Sequence, residues 1–125
     1  MDASPPAALP AVRLRPGADA RRVRHGHPWV YDNEVVADRR TRALAPGSLA
    51  VLEDAGRTAL ALVAVNPASK LFARVLDRDP GARIDAGWIA ARLRDALALR
   101  SRLYDAPFYR LVHAEADGLP GVVID

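Results

Sequence analysis

A chain of 125 residues, 50% hydrophobic and 26% charged, has the balance of a globular protein with one domain, or one small domain and part of another. Eighteen Lys and Arg against 15 Asp and Glu leave a net charge of +3, and cysteine is absent, which excludes disulfides, cysteine-based zinc clusters and a cysteine nucleophile within the chain. No apolar run approaches the ~20 residues of a membrane-spanning helix, so the expected compartment is the cytoplasm and no membrane partner is expected.

Met1 to Pro10 is rich in Ala and Pro and lacks the basic start of a signal peptide; it is expected to be a disordered leader. Ala11 to Arg15 alternates apolar and basic residues, the period of a half-buried strand, and Pro16-Gly17 ends it. Ala18 to Arg24 predicts a short helix with Asp19 near its start. His27-Pro-Trp-Val-Tyr31 is an aromatic and β-branched cluster, and Asp32 to Ala37 is expected to continue it as a strand. Asp38 to Pro46, polar and rich in arginine, predicts a loop.

Three strands are expected next, over Ser48 to Glu53, Thr58 to Val65 and Leu71 to Leu76, with turn residues between them at Ala55-Gly56 and Asn66-Pro67. Short strands about ten residues apart predict a small barrel or sandwich. One long helix follows, with Asp85 as N-cap and Ile89, Leu93, Ala96 and Leu97 on its apolar face, away from Arg92, Arg94 and Arg102. Phe108 to Val112 and Val122-Val-Ile124 flank a polar turn at Asp117-Gly118 and Pro120-Gly121, a terminal hairpin. A strand so close to the last residue suggests the front end of a longer protein.

The positive charge is local. Between Val12 and His27 stand Arg13, Arg15, Arg21, Arg22 and Arg24 against the single acid Asp19. The planar guanidinium suits phosphate oxygens, so this cluster is the leading candidate for a nucleic-acid contact, with a solvated surface as the plain alternative. Lys70, the only lysine, and Arg74 are further candidates on the strand after Asn66-Pro67. Trp29 has two readings, a stacking platform worth ~1–3 kcal/mol per base or a core aromatic closing the barrel.

His25 and His27 share a strand face but lack a third ligand at a recognisable spacing, and arginines flank them, so no metal is expected. Glu115 and Asp117 are either an acid–base pair or, more plainly, turn residues. Neither a GxGxxG nor a GxxxxGK loop is present.

Taken together, His27-Pro-Trp-Val-Tyr31, Asn66-Pro-Ala-Ser69 followed by Arg74-Val75, Tyr109-Arg-Leu111, and Glu115-Ala-Asp-Gly-Leu-Pro-Gly121 closing on Val-Ile-Asp125 resemble the front part of a class I S-adenosylmethionine (SAM)-dependent 23S rRNA (cytosine-C5) methyltransferase. The resemblance runs from about Val12 to Asp125. It implies an α+β fold: a PUA-like small β-barrel that binds RNA over 11–80, then a helix and β-hairpin belonging to a partial α/β linking domain over 81–125. It also implies a Rossmann-like methyltransferase domain beyond this chain.

The implied partner is structured RNA, gripped by Arg13, Arg15, Arg21, Arg22, Arg24, Lys70 and Arg74, with His27 and Trp29 shaping the RNA-facing edge or the barrel core. The implied cofactor, SAM, belongs to the full-length family member. The family's cofactor loop and catalytic cysteine lie outside this sequence, which implies a piece inactive by itself. One departure is Val63-Ala64-Val65, where such proteins often carry a glycine. A purely structural or protein-binding module is the competing expectation.

Overall fold

The computed structural model describes residues 9–103 and, in backbone only, residues 112–113 and 123–124. The chain divides into two compact units, Met1–Pro80 and Gly81–Asp125.

The first unit is a curled five-stranded sheet. Its strands are β1 (Ala11–Arg13), β2 (Trp29–Tyr31), β3 (Ser48–Glu53), β4 (Ala59–Val65) and β5 (Leu71–Asp77), in the order β1-β3-β4-β5-β2. β3, β4, β5 and β2 pair antiparallel in turn, while β1 runs parallel to β3 with Val12 opposite Leu52. The sheet closes toward a barrel where the chain beyond β2 returns to β1. Leu14 bridges Val35, the Arg15 N–H donates to Glu34 O and the Val36 N–H to Arg13 O, both at 2.8 Å.

Strand alternation, interrupted in β5 by the register shift opposite Val30 and Tyr31, accounts for most of what is inside. Val12 and Leu14 of the β1 segment, Ala50 and Leu52, Ala61, Val63 and Val65, and Phe72, Ala73 and Val75 form one buried cluster with Val30, Val35 and Val23. Burying each large aliphatic or aromatic side chain contributes roughly 1.5–3 kcal/mol, so this cluster is the main support of the unit. β4 is buried on both faces, Leu60 and Leu62 included, as befits a central strand. Val63, in the stretch before the Asn66–Ser69 turn, is fully buried in this core.

Two local expectations need correction. Asp32 to Ala37 does not continue as a strand: Asp32–Glu34 forms a 3₁₀ turn, and only Val35 returns to bridge pairing. Asp38 to Pro46 contains a short helix, α2 (Arg39–Arg42), because the Asp38 carboxylate caps it at the Thr41 N–H, 2.8 Å away, and Thr41 is buried beneath it. The β3–β4 turn forms at Ala55-Gly56 as expected; Arg57 follows in left-handed conformation, φ +69°, and Asp54 Oδ1 accepts from the Thr58 N–H at 2.9 Å. The Asn66–Ser69 turn forms as the Asn-Pro pair implies, Asn66 O accepting from the Ser69 N–H at 3.1 Å.

The second unit contains α3 (Ala86–Leu103), started by Asp85, whose carboxylate accepts from the Trp88 N–H at 2.8 Å. The expected apolar stripe is rotated. Ile89 and Leu97 are exposed, whereas Ala96 and Arg100 are buried and Trp88 and Arg92 half-buried, a ridge at four-residue spacing. The Arg92 guanidinium sits over the Trp88 ring at 4.7 Å, a cation–π contact within this ridge.

Strands β6 (Val112–His113) and β7 (Val123–Ile124) pair antiparallel, Val112 opposite Ile124, which places the expected terminal hairpin. Its turn, with Glu115 and Asp117, lies outside the described residues, as does nearly all of the expected leader. Among the described residues no helix is long and apolar enough to cross a membrane.

Candidate functional site

Helix α1 (Ala20–Arg24) carries most of the arginine cluster, and its geometry disperses it. At about 100° per residue, five residues point in nearly every direction, and one, Val23, is fixed inward as a core residue. The Asp19 carboxylate caps the start, accepting from the Arg21 N–H at 3.0 Å. At the other end the Arg78 Nε–H donates to Val23 O at 3.1 Å. Gly26 follows at φ +108°, where a Cβ would also stand 3.2 Å from the Arg78 guanidinium. Sequence reasoning missed Arg78, because its role as a helix stop depends on a contact 55 residues away.

The five arginines therefore meet different neighbours. Arg22 turns toward the 3₁₀ turn and donates to both Glu34 carboxylate oxygens, at 2.9 and 2.8 Å. This pair is partly shielded, with the Glu34 side chain only 19% exposed, and acts as a strut between α1 and the barrel closure. Arg24 reaches Asp54 at 3.5 Å, and Arg21 lies 3.7 Å from Asp19 with its side chain almost wholly in solvent. Exposed pairs of this kind stabilise little and are readily exchanged for another anion. On the β1 segment, the Arg15 Nε–H donates to Val35 O at 2.8 Å.

Strand β2 contributes the aromatic part. It is the last strand of the sheet, with Val30 buried between Trp29 and Tyr31, both of which face solvent. The core reading of Trp29 is thus overturned: the strand's alternation commits Val30 inward and its neighbours outward. His27 stands edge-on to Trp29, ring centroids 6.4 Å apart, and its Nδ1 lies 3.0 Å from Trp29 O and 3.3 Å from Trp29 N. One tautomer donates to the carbonyl; the other accepts from the amide. Arg74, half-buried on β5, is the register partner of Trp29, so the two side chains share the outer face. Lys70 is exposed at the start of β5 and forms no ion pair among the described residues.

Three open depressions line up around this edge. One of about 520 Å³ is lined by Asp19, Arg21, Arg22, His25 and His27. A second, about 460 Å³, shares Arg22 and adds Tyr31, Asp32, Asn33, Glu34 and Lys70. A third, about 340 Å³, shares Asp32 and Asn33 and brings in Arg15 and Arg42. Arg13 stands apart, lining a smaller depression of about 200 Å³ with Asp38, Arg40, Glu53 and Arg57. There hydrogen bonds with the backbone and side chain of Thr41 hold the Asp38 carboxyl below its usual range against the opposing effect of burial, with the Arg40 and Arg13 charges adding less.

The predicted residues thus sort by place. Arg15, Arg21, Arg22, His27 and Lys70 line one continuous belt, Trp29 and Arg74 adjoin it on β2 and β5, Arg24 turns to Asp54, and Arg13 lies elsewhere. Tyr31 and Arg42 were missed; the alternation Trp-Val-Tyr already placed Tyr31 beside Trp29. Among the described residues no group of three His, Cys, Asp or Glu side chains is placed to hold a metal ion. The belt offers exposed cations, two outward aromatic rings and few uncompensated acids, a chemistry suited to an anionic, aromatic ligand.

A family model described as a PUA-like domain matches residues 12–78. A ribosomal RNA large subunit methyltransferase of Deinococcus radiodurans is 38% identical over 130 residues, covering 98% of this chain and 31% of that protein. Ribosomal RNA large subunit methyltransferase I of Alteromonas mediterranea is 38% identical over 117 residues, covering 91% of this chain and 29% of that one. The chain therefore spans less than a third of the length of these curated relatives. Among solved structures, "a putative SAM-dependent methyltransferase from Streptococcus mutans" superposes with a TM-score of 0.73 at 10% identity, covering 92% of this chain and 30% of that chain. At that identity the likeness concerns the fold alone.

Proposed function

The chain belongs to the family of PUA-like domains, and on that premise we propose that it is the RNA-binding, substrate-positioning part of a cytoplasmic SAM-dependent methyltransferase acting on cytosine C5 of 23S ribosomal RNA. The observation that carries this reading is that ribosomal RNA methyltransferases match nearly the whole chain, and the cationic belt of α1, β2 and the start of β5 supports it. The domain bounds proposed with it are a leader over 1–10, the RNA-binding barrel over 11–80 and part of a linking domain over 81–125.

In this reading Arg21 and Lys70, the most open cations of the belt, contact phosphates. Arg15, Arg22, Arg24 and Arg74 contribute field and secondary contacts, and His27 and Trp29 form the edge that meets RNA. Arg13 is the outlying contact, reached only by a long substrate. Phosphate contacts fix register without reading sequence, which suits a module that presents a target to chemistry performed elsewhere. SAM supplies the methyl group to the complete enzyme. The depressions of the barrel are open and charged, with no apolar slot for an adenine ring among the described residues, so no side chain here is assigned to it. The methyltransferase domain is a proposed covalent neighbour.

Titrating salt against binding of this chain to a structured 23S rRNA fragment tests the reading. Affinity should fall on a log–log plot with a slope of about −0.9 per neutralised phosphate in paired regions. Arg21→Ala and Lys70→Ala should each reduce that slope by about 1. No binding at low salt, or affinity indifferent to salt, overturns the proposal. For Arg22 alone the Glu34 pair favours a structural role: Arg22→Ala is expected to lower the melting temperature more than the salt slope.

A further inference from the structure

Most of the positive charge in the belt is dispersed, yet its centre holds a feature that phosphate binding does not require. Trp29 and Tyr31 are each 37% exposed. They lie two apart on a strand, with Cα atoms about 6.7 Å apart, roughly twice the ~3.4 Å repeat of stacked bases. Both rings stand on the outer face, one on either side of the buried Val30. His27 packs edge-on against Trp29 and so limits how far the indole can swing. Cations flank the pair: Lys70 and Arg22 share a depression with Tyr31, and Arg74 lies opposite Trp29 in the register.

The same strand is a poor place to add another strand. The Trp29 N–H meets His27 Nδ1 and the Tyr31 N–H donates to Glu34 Oε1 at 2.9 Å, so side chains already engage these backbone donors. A peptide partner extending the sheet would have to displace both. What remains partly open is the pair of aromatic side chains and the charge beside them. Planar rings next to cations match a nucleobase with its phosphate.

We propose that Trp29 and Tyr31 form a stacking site for an unpaired RNA base, so that the substrate of this module contains a loop or bulge at the point of contact rather than a continuous duplex. The inference rests on the RNA-binding reading above and refines it. A base inside a helix has both faces covered by its neighbours, and only an unstacked base can offer a face to a protein ring. Lys70 then neutralises the phosphate of the stacked nucleotide, while Arg21 and Arg22 meet the flanking backbone.

The test compares two RNAs of equal length and charge, a hairpin carrying 2-aminopurine in its loop and a blunt duplex carrying it in a pair. The chain should prefer the hairpin, and binding should change the loop fluorophore's emission. Trp29→Ala and Tyr31→Ala should each weaken hairpin binding by about 5- to 150-fold, the usual range for one stacked base. Neither should alter the salt slope, since neither side chain carries charge. Trp29→Phe, which keeps a ring, should recover most of the loss and guards against a folding artefact. Equal affinity for the two RNAs, or alanine variants that bind the hairpin as the parent does, overturns the stacking site while leaving salt-dependent RNA binding intact. Failure of the parent chain to bind either RNA overturns both proposals.

Discussion

The two faces of the β2–β5 pair are built from adjacent residues and answer to different demands. On the inner face Val30, Ala73 and Val75 are buried, at 1%, 1% and 7% exposure. On the outer face Trp29 and Tyr31 remain open and Arg74 is only half-buried. The inner residues gain free energy by leaving water and by dense contact with their neighbours. The outer rings, each 37% exposed, keep over a third of their surface in water and gain less of both. Large apolar groups left in solvent beside cations point to a ligand that covers them.

Substitutions across the two faces make that contrast measurable. The largest effect is expected inside: Phe72→Ala should cost about 3–5 kcal/mol in a denaturant titration, through lost burial and the cavity left behind. Glu34→Ala should cost about 1–3 kcal/mol, because it strips the acceptor from Arg22 and the Tyr31 N–H at the barrel closure. Gly26→Ala should cost about 1–2 kcal/mol, since φ +108° and the nearby Arg78 disfavour a Cβ. Trp29→Ala should cost less than Phe72→Ala, about 1–2 kcal/mol in the same titration, because the indole is only partly withdrawn from water. A Trp29→Ala loss as large as that of Phe72→Ala would place the indole among the fold's supports and end the contrast.

The smallest effect belongs to acid. The Asp38 carboxyl is depressed, chiefly by its hydrogen bonds with Thr41. Its contribution to stability is therefore complete above its unfolded value, about 3.9, and is lost as pH falls through the lower native value. Asp38→Asn keeps an acceptor for the Thr41 N–H but no longer titrates. Denaturation midpoints measured from about pH 5 to pH 2 should fall less steeply for the variant than for the parent. Equal slopes would show that the α2 cap plays no part in acid sensitivity.

How much of this was legible beforehand differs from element to element. β3 and the Asn66–Ser69 turn were plain, because period-two alternation and an Asn-Pro pair act over neighbouring residues. The segment after Tyr31 was misread: Asp32–Glu34 turns in 3₁₀ form because the Glu34 carboxylate is held between Arg22 and the Tyr31 N–H, a contact no local pattern announces. α3 was located correctly but rotated, since its covered ridge runs through Trp88, Arg92, Ala96 and Arg100, where hydropathy alone favours Ile89 and Leu97. For the candidate site, the arginine cluster was visible as composition but not as geometry, which scatters it among Glu34, Asp54, Asp19 and solvent.

The amino-acid sequence alone determined the strand set, the concentration of positive charge near the N-terminus and the resemblance to a family, because alternation, composition and motif order are local properties of a chain. The tertiary structure decided which arginines are struts and which are open, and which way Trp29 faces. Those outcomes depend on ion pairs and strand registers between residues 12 to 45 positions apart, and such partners exist only once the sheet has closed.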